Sequence, residues 1–429
     1  MAEEGKSCSE VYNIAHKLQS REIGNRLVLT NAHSQIKFRN FQLQEEFYTK
    51  QAYEIVQIIS AGSIIFALAE SGICAAFDRD RNKRLCYLNL YPGDHIQRLH
   101  YNRENNSLIT LSTHASDINS INCRTTPLDY IRRAQPDAGF ALFEGEKLTW
   151  PDFVIFDNIN GIALTFSARA DIYKVFDLKS YTYLYSISAK EIEGIKIASG
   201  LMLLISKRSA CGSILPLKIL SIQDGKILKS FHHELLPNKK VNFVELFYDK
   251  ILVKQENECL QMVDVHSEKM IELRKQEFEK HSTILLSSHA KRLFLTFHIE
   301  TVFVWNLQGE VVASYRNHSI RLSGTSISIV QLTRDEELLL SYTKVGESLE
   351  ADKRDCSINI INILTGNCYA KIGGNDLDVG ISCRNRPNLS VTQSTLQDVL
   401  EDITAIFYDE DRNEIYTGNT GGFVHVWSN

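Results

Sequence analysis

Short apolar runs of four to seven residues, separated by polar clusters rich in Gly, Asp and Asn, recur along nearly the whole chain. The longest apolar stretch, Ile55 to Phe77, is uncharged but for Glu70, and its length approaches that of a membrane span. Gln57 and Glu70 interrupt it, Gly62-Ser63 forms a turn signal, and many of its large residues are β-branched. The pattern therefore predicts two buried strands joined by a turn. Near the C-terminus, Ile406-Phe407, Glu414 to Thr417 and Phe423 to Trp427 read as three strands joined by polar turns. Upstream, Phe153 to Phe156, Gly161 to Phe166, Ile172 to Leu178 and Thr182 to Ser186 read as four. So do Ile284 to Leu286, Arg292 to Phe297, Val302 to Leu307 and Val311 to Tyr315. Such short strands and short turns predict repeated antiparallel meanders.

The third strand of each unit ends on a marker: a branched residue, a large apolar or aromatic one, then usually Asp or Asn. The copies are Val175-Phe176-Asp177, Met262-Val263-Asp264, Val304-Trp305-Asn306, Ile360-Ile361-Asn362 and Val426-Trp427-Ser428. Looser ones are Ala76-Phe77-Asp78, Ile219-Leu220-Ser221, Phe38-Arg39-Asn40 and the region around Asn122. Successive markers are 38, 44, 55, 44, 43, 42, 56 and 66 residues apart. Five steps share one period, and the longer three imply insertions into a regular unit.

A period of about 40–45 residues, four strands per unit and a third strand ending near Trp-Asp resembles the WD-repeat family. Glu414-Ile-Tyr-Thr-Gly-Asn-Thr-Gly-Gly-Phe-Val-His-Val-Trp427 is similar to the second and third strands of such a repeat. WD-repeat-like proteins of plants share this flavour. Only Trp305 and Trp427 occupy the family's Trp position, and its Gly-His dipeptide has no clear counterpart. The resemblance implies an all-β fold: a single β-propeller over residues 25–429, behind an N-terminal extension of 1–24. One meander leaves two edges exposed, so the units must stack around an axis. Eight markers from Asp78 to Ser428 favour eight blades over seven. The last unit lacks a fourth strand; Leu43 to Thr49 is expected to supply it, with Arg26 to Phe41 as extra strands at the seam.

Insertions are expected at 135–150, 344–356 and 373–401. The first is read as following a fourth strand at Asp129 to Arg133, the second as lying between strands two and three, and the third as following a fourth strand. In a WD-type ring all three then emerge on one face. Long loops on a rigid scaffold commonly carry function. The first holds Phe140, Phe143 and Trp150 beside Arg132 and Arg133, the aromatic-plus-Arg composition of protein interfaces. Folding of those aromatics back onto the ring is the alternative. Arg384 and Arg386 are the candidates in the third loop, and the second reads as a solvated tether.

Composition narrows the function. Hydrophobic residues make up 44% and charged residues 23%, ordinary globular usage. With 47 Lys and Arg against 52 Asp and Glu, nucleic acid is not an expected partner. Nine cysteines without a Cys-x-x-Cys, and a first segment with no basic-then-apolar pattern, fit free thiols in the cytoplasm or nucleus. Phosphate-loop, nucleophile-elbow and His-Glu-x-x-His patterns are absent from the sequence. Asp78-x-Asp80-x-Asn82 and Asp409-x-Asp411-x-Asn413 imitate a calcium loop but lack its later Gly and Glu, so they read as turns. The expectation is a non-enzymatic scaffold that binds one or more proteins through the loop-bearing face, with no cofactor, metal, membrane or small-molecule substrate. Phe77-Asp78-Arg79-Asp80 and Phe176-Asp177-Leu178-Lys179 are near misses to the Trp-Asp-x-Arg of cullin-RING substrate receptors, which supplies one alternative. An RNA-processing scaffold is the other.

Overall fold

The computed structural model describes residues 39–42 and, from 54 to 427, all but 82, 144–147, 150–153, 168–169, 199, 208–212, 274–284, 289–291, 299–300, 317–326, 334–335, 345–355, 374–399 and 401–402. Its strands form eight antiparallel sheets, the blades of a β-propeller. The blades begin at Ile55, Asp94, Val154, Ile192, Val241, Leu285, Ile327 and Ile403. First strands contact first strands of neighbouring blades, which places them nearest the axis. Ile55–Ala61 and Ile64–Ala69, the suspected span, are the first hairpin of blade one. No helix among the described residues is long and apolar enough to cross a membrane.

Eight apolar clusters hold the ring, one at each interface between neighbouring blades. Strand alternation produces this. In the second strand of blade four, Leu203 and Ile205 face blade five while Met202 and Leu204 face blade three. Each fully buried Leu or Ile contributes about 1.5–3 kcal/mol. Amide side chains stitch the same joints. Gln57 of blade one donates to the Leu99 carbonyl at 3.0 Å and accepts from the Leu99 amide at 2.9 Å, imitating a strand pair.

The markers have a local cause. Asp78, Asp264, Asn306 and Asn362 each accept two backbone N–H bonds through Oδ1, and Asp177 accepts one through Oδ2, in the turn to the fourth strand. They are turn caps. The apolar residue before each is core: Phe77, Phe176, Val263, Trp305, Ile361 and Trp427 are all buried. Trp305 and Trp427 add a bond, each donating Nε1–H at 2.9 Å to a threonine on the adjacent strand, Thr296 and Thr417. Thr165 and Ser341 hold the equivalent position in blades three and seven, two residues beyond the strand partners of Phe176 and Ile361, and their hydroxyls are buried without a hydrogen-bond partner among the described residues.

Three expectations are corrected. The last blade is closed by Arg39–Gln42, which pairs antiparallel with Phe423–Trp427. This displaces Leu43 to Thr49, which lies outside the described residues, and it leaves residues 39–41 as the closing strand rather than an addition to it. Asp129 to Arg133 is not a strand: Leu128–Arg132 is a short helix following Pro127. Leu128 and Ile131, three apart, bury one face against blades one and two. The fourth strand of blade two comes instead from inside the first insertion, as Phe140–Leu142 and Leu148–Thr149, both paired with Asp117–Pro127. Consequently the first insertion falls between strands three and four. In an up-and-down meander that connection shares a face with the strand one-to-two turns, here called the lower face. The second insertion lies between Leu338–Lys344 and Cys356–Asn362, and the third after Cys368–Gly373. Those positions belong to the upper face, so the three insertions do not share one side.

Candidate functional site

The lower face carries a cavity of about 880 Å³ at its inner edge. Its walls are strand one-to-two turns of four consecutive blades: seven, eight, one and two. Ala61, Leu332, Leu340 and Phe407 give it apolar surface, and Tyr101 and Tyr408 flank it. The two tyrosines are held alike. Tyr101 donates to Asn106 at 2.9 Å and Tyr408 to Asn413 at 2.7 Å, five residues on in each case. Both asparagines have positive φ, the left-handed turn conformation that Asn tolerates.

At the same seam the ring closes through buried charge. Arg79, just past the marker of blade one, donates Nε to Glu414 of blade eight at 2.7 Å and makes a second bond through Nη2. Tyr416 donates to the same carboxylate at 2.7 Å. Burial alone lowers the Arg79 pKa, but the Glu414 bond and charge outweigh it and hold the guanidinium above its ordinary value. Burial, then Glu414, pushes the Tyr416 phenol up, so it stays a donor. Nearer the mouth, Arg412 pairs with Asp80 at 2.9 Å, and Ser60 donates to Asp409 at 2.6 Å. The two calcium-loop imitations thus meet across the seam as ion-paired turns. Among the described residues no group of three or more His, Cys, Asp or Glu could hold a metal ion.

The sequence-predicted residues divide. Arg132 reaches the cavity rim: a Cβ built on Gly62, a lining residue, would lie 3.2 Å from its Nη2. Its ion pair to Asp129, 2.6 Å long, is exposed. Arg133, capping the helix, and Tyr130 are also exposed. Phe140 is exposed and edge-on to Tyr181, with centroids 6.1 Å apart. Phe143 instead folds back on Phe176 at 4.5 Å and packs against the core between blades two and three. Trp150, Arg384 and Arg386 lie outside the described residues. Tyr101, Arg103, Tyr408 and Arg412 were missed, because they come together only through the ring. The repeated Tyr-x-x-x-x-Asn at 101–106 and 408–413 was the available signal.

Eight meander blades around an axis, with a seam-spanning cavity on one face, define an eight-bladed β-propeller. The chain belongs to the family described as a domain of unknown function, DUF7899, which matches residues 24–427. No curated protein matches it in sequence. Among solved structures it is similar to the computationally designed Ika8 protein, with 15% identity, 89% of this chain and 97% of that one covered, and a TM-score of 0.52. BamB from Moraxella catarrhalis aligns with 12% identity over 91% of this chain and 96% of that one, TM-score 0.45.

Proposed function

We propose that the chain is a non-enzymatic interaction scaffold that binds one or more partner proteins through its lower face, centred on the seam cavity. The observation that carries this reading is the coincidence, on one face, of the cavity with the helix Leu128–Arg132 and its exposed Tyr130, Arg132 and Arg133. A concavity of mixed apolar and polar lining, beside exposed aromatic and Arg side chains, is suited to anchoring a partner. This moves the site from the upper face, where the sequence alone put it. Likeness to WD repeats is part of the proposal, and the matching Trp–Thr bonds of blades six and eight support it.

The test is affinity purification with mass spectrometry on three chains, after melting curves confirm that each folds. Ser63→Trp fills the cavity from its rim. Ile118→Asp changes an exposed residue beside the strand two-to-three turn of blade two, on the upper face. Specific partners should be lost with Ser63→Trp and kept with Ile118→Asp. The reverse result places binding on the upper face and ends the proposal.

A further inference from the structure

We infer that the partner segment seated in the seam cavity is acidic, with Arg103 as its principal charge anchor and Arg132 as a second at the rim. The inference rests on the lower-face reading and adds the chemistry of what enters.

The walls carry both signs: Arg103 and Arg412 against Asp409, Glu410 and Asp411. A count of charges therefore does not choose a ligand, but their engagements do. Asp409 accepts from Ser60 and from the Arg412 amide. Arg412 is held by Asp80, and Glu410 and Asp411 have partners as well. Arg103 is different: it is exposed and makes no hydrogen bond or ion pair among the described residues. The same holds for the side chains of two other lining residues, Gln331 and Ser63, both only half-buried. The unmet capacity of the cavity is thus mostly donor capacity, five N–H groups from Arg103 in a planar fork suited to a carboxylate.

Arg132 supplies the second anchor. Its Asp129 partner is well exposed, so that pair contributes little and a docked carboxylate can replace it. Arg133 continues the positive edge outward along the helix. Tyr101 and Phe407, which also line the cavity, offer apolar contact. The fixed carboxylates on the blade-eight wall disfavour a long polyanion, because each added phosphate brings repulsion without a new cation. A short segment with one or two carboxylates among apolar residues fits better than nucleic acid.

The experiment measures fluorescence anisotropy of three labelled probes with the full chain: a ten-residue Glu/Leu/Gly peptide, the same peptide with Lys for Glu, and a ten-nucleotide oligouridine. Binding is compared at low and high salt for the unsubstituted chain, Arg103→Lys, Arg103→Glu and Arg132→Glu. The Glu peptide should bind, weaken with salt, and lose about tenfold or more in affinity with Arg103→Glu and less with Arg132→Glu. Arg103→Lys should fall between, since it keeps the charge but not the fork. Preference for the Lys peptide or the oligouridine overturns the inference. So does failure of the Glu peptide to bind at millimolar concentration, or equal binding by Arg103→Glu. Running Arg103→Glu through the partner purification separates the two proposals. Partners lost with Ser63→Trp but fully kept with Arg103→Glu leave the lower face standing and remove the acidic segment.

Discussion

The joint between blades four and five and the joint between blades eight and one do the same mechanical job with different chemistry. Between four and five, fourteen buried residues from Ala198 to Val265 form an apolar cluster. Two ion pairs cross that joint, Lys196 to Glu245 at 2.5 Å and Lys229 to Glu268 at 3.0 Å, and each has at least one side chain more than one-third exposed. At the seam a smaller apolar cluster is joined by the buried Arg79–Glu414–Tyr416 group, by Arg412–Asp80, and by Thr404 donating to the Ile55 carbonyl at 2.6 Å. Blades four and five are joined through a short link, so connectivity limits their misregistration. The seam brings together residues 335 apart. Apolar contact is non-directional, whereas a forked guanidinium on a carboxylate admits one register. Buried charge at the seam thus specifies closure, and it sets the turns that wall the cavity.

The contrast breaks most sharply under single substitutions. Arg79→Ala leaves Glu414 buried without its cation and should cost about 3–5 kcal/mol in chemical unfolding. Lys196→Ala should cost under about 1 kcal/mol. Equal losses would mean that the seam is not distinctive. Acid provides the next largest effect. His425, on the third strand of blade eight opposite Asn40, has its pKa lowered by burial to about 4, against an ordinary 6.5. The unfolded chain therefore binds this proton first as pH falls. Its stability contribution is complete above about pH 6.5 and is lost between there and about pH 4. His100 is lowered similarly, by burial first, and acts in the same window away from the seam. Melting temperature against pH should be flatter in His425→Gln than in the unsubstituted chain, with the His100 share remaining.

Close approach sharpens the comparison further. A Cβ on Gly418 would lie 2.4 Å from Ile55 Cγ2 across the seam, so Gly418→Ala should destabilise by about 1–3 kcal/mol. The smallest effect concerns the marker hydroxyls. Thr296→Val removes the acceptor of Trp305 and should cost about 1 kcal/mol, while Thr165→Val, which deletes an unpartnered hydroxyl, should be neutral or stabilising. Similar losses from both would show that Thr165 has a partner.

The fold was legible because its cause is local and repeated. Alternating strands, turn-capping Asp177, Asp264, Asn306 and Asn362, and buried Trp305 and Trp427 recur at one period, so counting them counts blades. Elements outside that grammar were not. Leu128–Arg132 has two β-compatible residues, Tyr130 and Ile131, and was read as a strand. Pro127 before it, Asp129 in its first turn, Arg132 in its last and the Leu128/Ile131 spacing were the helix cues. That one misreading moved an insertion to the wrong face. Residues 39–42 and 43–49 are both plausible short strands, and only the pairing of Arg39 with Val426 selects between them. The cavity was invisible for a stronger reason. Gly62, Arg103, Thr333 and Arg412 become neighbours only after the ring closes, and no local pattern encodes that.

The most direct test of the account is hydrogen exchange by mass spectrometry on the full chain, free and bound to a partner recovered by affinity purification. The account predicts new protection at the lower-face turns, residues 60–63, 101–106 and 409–413, and in the helix Leu128–Arg132. Protection confined to the upper-face turns at 70–73, 115–116 and 420–422, with the cavity turns unchanged, would contradict it.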